Sequence, residues 1–323
     1  MTLQPPTIVD IESARVRIAP YVKRTPVLTN EVVDARAGAS LFVKAESLQR
    51  FGAFKARGAF NRIASFTDAE RRNGVLAFSS GNHAQATAGA ARVFGLPAVI
   101  VMPSDAPKVK VDNTRALGGE VVLYDRITED REAIGAAIVA ERGLALVKPF
   151  DDPFVIAGQG TAGLEIAEDV EGIDVAFVPS SGGGLASGVA LALRARFPGV
   201  KVYAVEPEGH DDVVRSLASG QREVNAPGVR SFCDALLSDR MGVLPFAVAQ
   251  ETFAGALAMS DTAVADAMRT AFREYKLVLE PGGAIALAAA LSGRVDIKGA
   301  RVAVLASGGN VDPELFARVL SGQ

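Results

Sequence analysis

The stretch Val175-Ala176-Phe177-Val178-Pro179-Ser180-Ser181-Gly182-Gly183-Gly184-Leu185-Ala186 decides the fold class. It opens with four apolar residues and no polar face, the make-up of a strand buried on both sides. It then breaks into serines and three successive glycines, and from Leu185 it continues as an alanine-rich helical segment. Strand, glycine loop and helix in that order form a βα unit whose loop lies at the strand's carboxyl end. Glycines let several backbone N–H groups face one concavity, and the helix N-terminus adds positive potential. The loop is therefore a candidate phosphate cradle, although a tight turn would use the same glycines. It is neither the Gly-x-Gly-x-x-Gly of a first dinucleotide-binding unit nor a Walker loop, which weakens nucleotide readings.

The same alternation runs outward in both directions. Short apolar runs at 41–43, 75–78, 98–102, 121–124, 144–147, 175–178, 202–205 and 302–305 are interleaved with alanine-rich stretches at 84–94, 163–170, 186–196 and 261–274. This predicts an α/β protein with open, twisted, mostly parallel sheets flanked by helices. Two more serine–glycine loops follow strands, Ser79-Ser80-Gly81-Asn82 and Ser307-Gly308-Gly309-Asn310. Ligands of open α/β sheets bind outside the carboxyl ends of strands, so three such loops predict one site built from distant segments. No Pro- or Ser-rich linker divides the chain. Two lobes are expected, a large one from 1–72 and 149–323 and a small one inserted at 73–148.

Composition narrows the function. The 323 residues are 49% hydrophobic and 22% charged, as in an ordinary soluble domain, and disorder, collagen and coiled coil are excluded. A net charge of −3 leaves no basic excess for nucleic acid. A single cysteine, Cys233, rules out an intrachain disulfide and a cysteine-based zinc site, and two histidines are too few for a His-rich centre. The longest apolar run, 284–291, is far short of a bilayer span. The first ten residues lack a basic n-region and an apolar core, so no signal peptide and a cytoplasmic location are expected.

With only nine lysines, one inside a glycine-rich motif stands out. In Gly52-Ala53-Phe54-Lys55-Ala56-Arg57-Gly58, Lys55 is flanked by an aromatic and small residues. Desolvation there would favour the neutral, nucleophilic amine that forms Schiff bases, while a surface lysine is the commoner fate. In Ser79-Ser80-Gly81-Asn82-His83, hydroxyls and N–H groups at a helix start would suit a carboxylate; a capping turn would look the same.

Together these segments resemble the serine/threonine dehydratase and serine racemase family, pyridoxal-phosphate enzymes with the tryptophan-synthase-β-like fold. The resemblance covers about 11–320 and rests on Ser47-x-Gln49-x-x-Gly52-x-Phe54-Lys55-x-Arg57-Gly58-Ala59, Ser79–His83, the 182–185 loop and Ser307-Gly308-Gly309-Asn310-Val311-Asp312, with Ile156-Ala157-Gly158-Gln159-Gly160-Thr161 in support. It implies that Lys55 carries the cofactor as an imine, that Phe54 packs beside the ring and that Asn82 bonds the phenolic oxygen. It further implies that Gly182, Gly183, Gly184 and Leu185 hold the phosphate and that Ser307 faces the pyridine nitrogen. Ser80 matches the serine that faces Lys55 from the opposite side in racemases. Ser79, Ser80, Gly81, Asn82 and His83 match the substrate-carboxylate loop.

Glu206-Pro207-Glu208-Gly209-His210-Asp211-Asp212 resembles the family's divalent-cation site, with Glu206, the His210 carbonyl and Asp212 as ligands. Oxygen donors suit Mg²⁺, Mn²⁺ or Ca²⁺; a solvated acidic loop is the plainer reading. Where many members have Ala-Asp-Gly, this chain has Ala226-Pro227-Gly228, and Pro227 offers neither carboxylate nor N–H. The implied reaction is dehydration and deamination of L-serine, L-threonine or 3-hydroxyaspartate to a 2-oxo acid and ammonia, with amino-acid racemisation as the alternative. Arg131 resembles an arginine near the racemase substrate, and would otherwise be a surface arginine among Glu129, Asp130 and Glu132. A homodimer is the expected assembly. No regulatory domain follows Ser307, so isoleucine feedback is not expected.

Overall fold

The computed structural model describes residues 4–79, 81–106, 108–125 and 127–322. Among the described residues there are ten strands: β1 (Val27–Leu28), β2 (Ser40–Ala45), β3 (Val75–Phe78), β4 (Ala98–Pro103), β5 (Gly119–Tyr124), β6 (Ala145–Leu146), β7 (Val175–Pro179), β8 (Lys201–Pro207), β9 (Phe253–Met259) and β10 (Arg301–Ala306). They form a six-stranded sheet in the order β1-β2-β10-β7-β8-β9 and a four-stranded sheet in the order β5-β4-β3-β6. Every pairing is parallel except β1 with β2. The α/β reading with mostly parallel sheets is therefore correct.

All eight predicted strands form, six of them longer by one to three residues and 75–78 unchanged, whereas 144–147 contracts to Ala145–Leu146. Two strands were not foreseen. β1 has only two residues, and β9 reads Phe253-Ala254-Gly255-Ala256-Leu257-Ala258-Met259, whose alanines carry no β signal. It becomes a strand because it pairs with β8 at the sheet edge, with an irregularity at Val202/Tyr203. The predicted helix over 261–274 ends at Thr270 and passes into a π turn, Ala271–Tyr275.

The strand order positions the site. β10 lies between β2 and β7, with Val302 paired to both Leu41 and Val175. The loops after β7 and β10, some 130 residues apart in sequence, therefore emerge side by side. The third loop leaves β3 in the other sheet and runs into the helix Asn82–Val93. The helix Lys55–Ser65 packs on the four-stranded sheet, its Phe60 and Ile63 sharing a core with Val75, Ala77 and Ile100. It also packs against the helix Pro153–Asp169, which lies on the helix that opens at Gly184. Lys55 thus stands at the first turn of a helix clasped by both layers.

Candidate active site

Lys55 is the first residue of its helix, directly after Phe54. The turn before it is stitched to the β10 loop: Phe54 N donates to the Ser307 carbonyl at 3.0 Å, and Ala53 bridges Gly308. Lys55 Nζ lies 5.1 Å from the Phe54 ring centroid and donates to the Pro149 carbonyl at 2.7 Å. Among the described residues no acid pairs with it, and burial pushes its pKa down to about 7. A large fraction of the amine is then neutral near pH 7, as a Schiff-base lysine requires.

The 180–185 loop fits a phosphate. The helix Gly184–Arg196 starts behind Gly183, whose φ is +88°, and no side chain caps its first-turn N–H groups. A Cβ on Gly182 would fall 2.2 Å from the Phe150 ring, and one on Gly183 2.4 Å from Met241 Cε. The backbone therefore approaches these neighbours as only glycine can. Ser180 Oγ and Gln159 Oε1 are buried beside the loop without a protein partner. Ser307 is 5% exposed, and its hydroxyl has only a long contact, 3.5 Å to the Gly282 carbonyl.

Asn82 begins the helix Asn82–Val93, whose N-cap, Gly81, offers no side-chain cap. Its amide nitrogen donates to Glu280, and its Oδ1 accepts from Asn310 Nδ2 at 2.7 Å. Ser79 Oγ accepts from Gly81 N at 3.2 Å. His83 is buried, with Nε2 2.9 Å from the Val147 carbonyl. Burial first, and then the charge of Lys55, pushes its pKa down to about 3, which keeps the ring neutral. Ser80 lies outside the described residues. Arg131 opens the helix Arg131–Arg142, is exposed, and lies over the Phe78 ring at 5.7 Å.

Glu280 was not singled out from sequence. It is 2% exposed, holds Asn82, and has Oε2 buried without a partner. Burial pushes its carboxyl up to about 7. The one available cue was an acid before the helix-starting Pro281 and two glycines, which reads equally well as a helix start. Asn310, Gln159 and the Pro149 carbonyl lay inside recognised motifs, but nothing in the sequence assigned them a contact.

Glu206 is the sixth residue of β8 rather than part of a loop beyond it, because the strand runs to Pro207. Its carboxylate accepts from Val213 N at 3.0 Å and Val214 N at 3.2 Å. Asp212 accepts from Asn225 Nδ2 and Met241 N, each at 2.7 Å. Both acids are buried. Desolvation raises both, and Asp212 adds to the rise at Glu206. His210 Nε2 lies 3.1 Å from the Val229 carbonyl, and its Nδ1 is buried without a partner. Among the described residues no group of three His, Cys, Asp or Glu side chains could hold a metal; the expected set has two carboxylates and a carbonyl.

A part-buried lysine, ion-paired to no acid among the described residues, and a glycine cradle where adjacent parallel strands end are what an α/β enzyme that binds a phosphorylated carbonyl cofactor can use. The pyridoxal-phosphate dependent enzyme family matches residues 18–308, and the chain belongs to it. It is 43% identical to the L-threo-3-hydroxyaspartate ammonia-lyase of Saccharomyces cerevisiae, covering 98% of this chain and 97% of that one. It is 42% identical to the serine racemase of Schizosaccharomyces pombe over 98% of each. The solved structure of maize serine racemase superposes with a TM-score of 0.93 at 40% identity, covering 98% of this chain and 97% of that one. The protein is an enzyme of the ammonia-lyase type. Among the described residues no helix is long and apolar enough to cross a membrane.

Proposed function

We propose that this enzyme removes the β-hydroxyl of a β-hydroxy amino acid, L-serine, L-threonine or 3-hydroxyaspartate, and yields a 2-oxo acid and ammonia. The observation that carries the reading is Lys55: an amine pushed down to about 7, unpaired with any acid, beside the glycine cradle and the Ser307 loop. Bound pyridoxal phosphate supplies an electron sink for charge left at the substrate's α-carbon. Lys55 holds the cofactor as an imine, with Phe54 beside the ring, and is the base that accepts the α-proton at Nζ. Gly182, Gly183, Gly184 and Leu185 hold the phosphate by backbone N–H groups, and Asn82 bonds the phenolic oxygen. Ser307 offers the pyridine nitrogen a neutral hydroxyl instead of a carboxylate, which makes the sink shallow and favours expulsion of a β leaving group over transamination. Ser79, Ser80, Gly81, Asn82 and His83 take the substrate carboxylate at the uncapped helix N-terminus.

The segment 73–148 acts as a small lobe that closes on a large lobe of 1–72 and 149–323 and excludes water. The four-stranded sheet supports this, since all its strands lie between Val75 and Leu146. Glu206, Asp212 and the His210 carbonyl hold Mg²⁺, Mn²⁺ or Ca²⁺; two buried carboxylates, both raised by burial and Glu206 further by Asp212, are the donor set such a cation would relieve. A cytoplasmic homodimer is the expected form.

The test is a panel of serine, threonine and 3-hydroxyaspartate stereoisomers, scored for 2-oxo acid and ammonia. Turnover of none of them overturns the reading. The serine racemase relatives support a second reading, with Lys55 and Ser80 as bases on opposite faces. D-Serine forming faster than pyruvate from L-serine would favour it.

A further inference from the structure

The inter-sheet cleft holds a buried cation that the roles above do not use. Lys110 lies on the helix Lys108–Ala116, is 7% exposed, and pairs with Asp234 from the segment between β8 and β9. Its Nζ lies 3.8 Å from where a Cβ on Gly81 would stand, which puts the ammonium beside the uncapped N-terminus of the helix Asn82–Val93. A cavity of about 200 Å³ opens there, bordered by Lys110, Asp234, Glu280 and Asn310. The two latter residues are the ones that hold Asn82.

The ion pair is lopsided. The Lys110 side chain is 9% exposed, that of Asp234 45%. A buried ammonium needs a counterion, because stripping its hydration without one is costly. Asp234 can turn to water and keep its own hydration. The anion on Lys110 is thus exchangeable, and the cation is fixed.

We infer that Lys110 is a specificity-determining residue that receives the second carboxylate of a dicarboxylic β-hydroxy amino acid such as 3-hydroxyaspartate, with Asp234 as the internal anion displaced. This rests on the β-elimination reading above. The α-carboxylate has the helix N-terminus, and the side-chain carboxylate has the ammonium next to it. Serine and threonine carry no such group and leave Asp234 in place. Arg131, the candidate taken from sequence, is exposed on Phe78, where water screens its charge. Lys110 acts in a drier place, where a charge pair counts for more.

The test uses holoenzyme, with kcat/KM for 3-hydroxyaspartate and serine in wild type, Lys110→Met, Lys110→Arg and Asp234→Ala. Lys110→Met should lower the 3-hydroxyaspartate-to-serine ratio of kcat/KM on the order of 30-fold, mainly through KM. Lys110→Arg should keep most of the preference. Asp234→Ala removes the competing anion and should raise the ratio. If the pair were only a clasp between the sheets, Lys110→Met and Asp234→Ala would lower both substrates alike, and that result overturns the inference. Should Lys110→Met fail to fold, a ratio that falls in Asp234→Ala overturns it equally. Calorimetry with succinate and propionate gives a readout independent of turnover: Lys110→Met should weaken succinate by a similar factor and move propionate far less, and an equal change overturns the assignment. If the wild type eliminates nothing, the reaction reading fails, while the succinate–propionate contrast still judges Lys110.

Discussion

At the scale of single residues the chemistry turns on which charges are paired. Lys55 lacks an acid, whereas Arg57, two residues on and fully buried, has two: it is bonded by two nitrogens each to Glu46 and Glu165, and Lys44 Nζ reaches Glu165 at 2.7 Å. The network anchors the helix that carries Lys55. Lys55→Ala should fold normally and lose turnover together with the imine absorbance; near-normal turnover would refute the assignment. The rate at which apoenzyme captures the cofactor should follow the neutral amine, rising about tenfold per pH unit below pH 7 and levelling above it, because burial holds Lys55 at about 7. Stopped-flow absorbance across pH 5.5–9 measures this, and a flat profile contradicts it. Arg57→Met leaves Glu46 buried without a cation and Glu165 with Lys44 alone, and should cost about 3–5 kcal/mol in urea unfolding. Burial works against the charge of Glu165, but Arg57 and Lys44 together hold its carboxyl below the ordinary 4.5. Its contribution to stability is therefore present above that value and lost as pH falls through the depressed one, and this acid limb should shrink in Arg57→Met.

At the scale of elements, the site consists of three strand-to-helix junctions, each with a distinct backbone requirement. Gly183 supplies positive φ at the start of its helix, and Gly182 supplies contact with Phe150. Gly182→Ala must displace that ring and should weaken cofactor affinity at least about tenfold, for a cost of about 1–3 kcal/mol from overpacking. Fluorescence titration of apoenzyme with pyridoxal phosphate reads the change, and unaltered affinity would mean that the loop does not hold the phosphate. The junctions were legible in the sequence because serine–glycine runs after apolar strands have few other uses. Glu280 was not legible. Its role comes from the helix start at Pro281 being brought against Asn82 from the other sheet, nearly two hundred residues away.

At the scale of the whole molecule, strand order does what no local motif can. Glu206, near the end of β8, and Asp212, beyond it, test this view, since they matter only through their burial together. Relative to wild type holding the cation at a hundredfold excess over its Kd, EDTA should lower the melting temperature by the equivalent of about 2–3 kcal/mol. It should lower turnover as well, and Asp212→Ala should respond to neither chelation nor metal. Indifference of the wild type would leave the segment a plain acidic turn. Cys233 needs no role: it is buried, and burial raises its thiol to about 12, which keeps it unreactive. By itself the sequence determined the α/β class, eight of the ten strands found among the described residues and the three loops, because hydrophobic period and glycine runs act locally, while the imine role of Lys55 came from the family resemblance. Tertiary structure alone decided that β10 inserts between β2 and β7, that the alanine-rich 253–259 is a strand, that Glu280 and Asn310 hold Asn82, and that Lys110 is buried against Asp234. Those facts depend on which distant surfaces exclude water from one another, and burial is a property of the packed chain rather than of any segment within it.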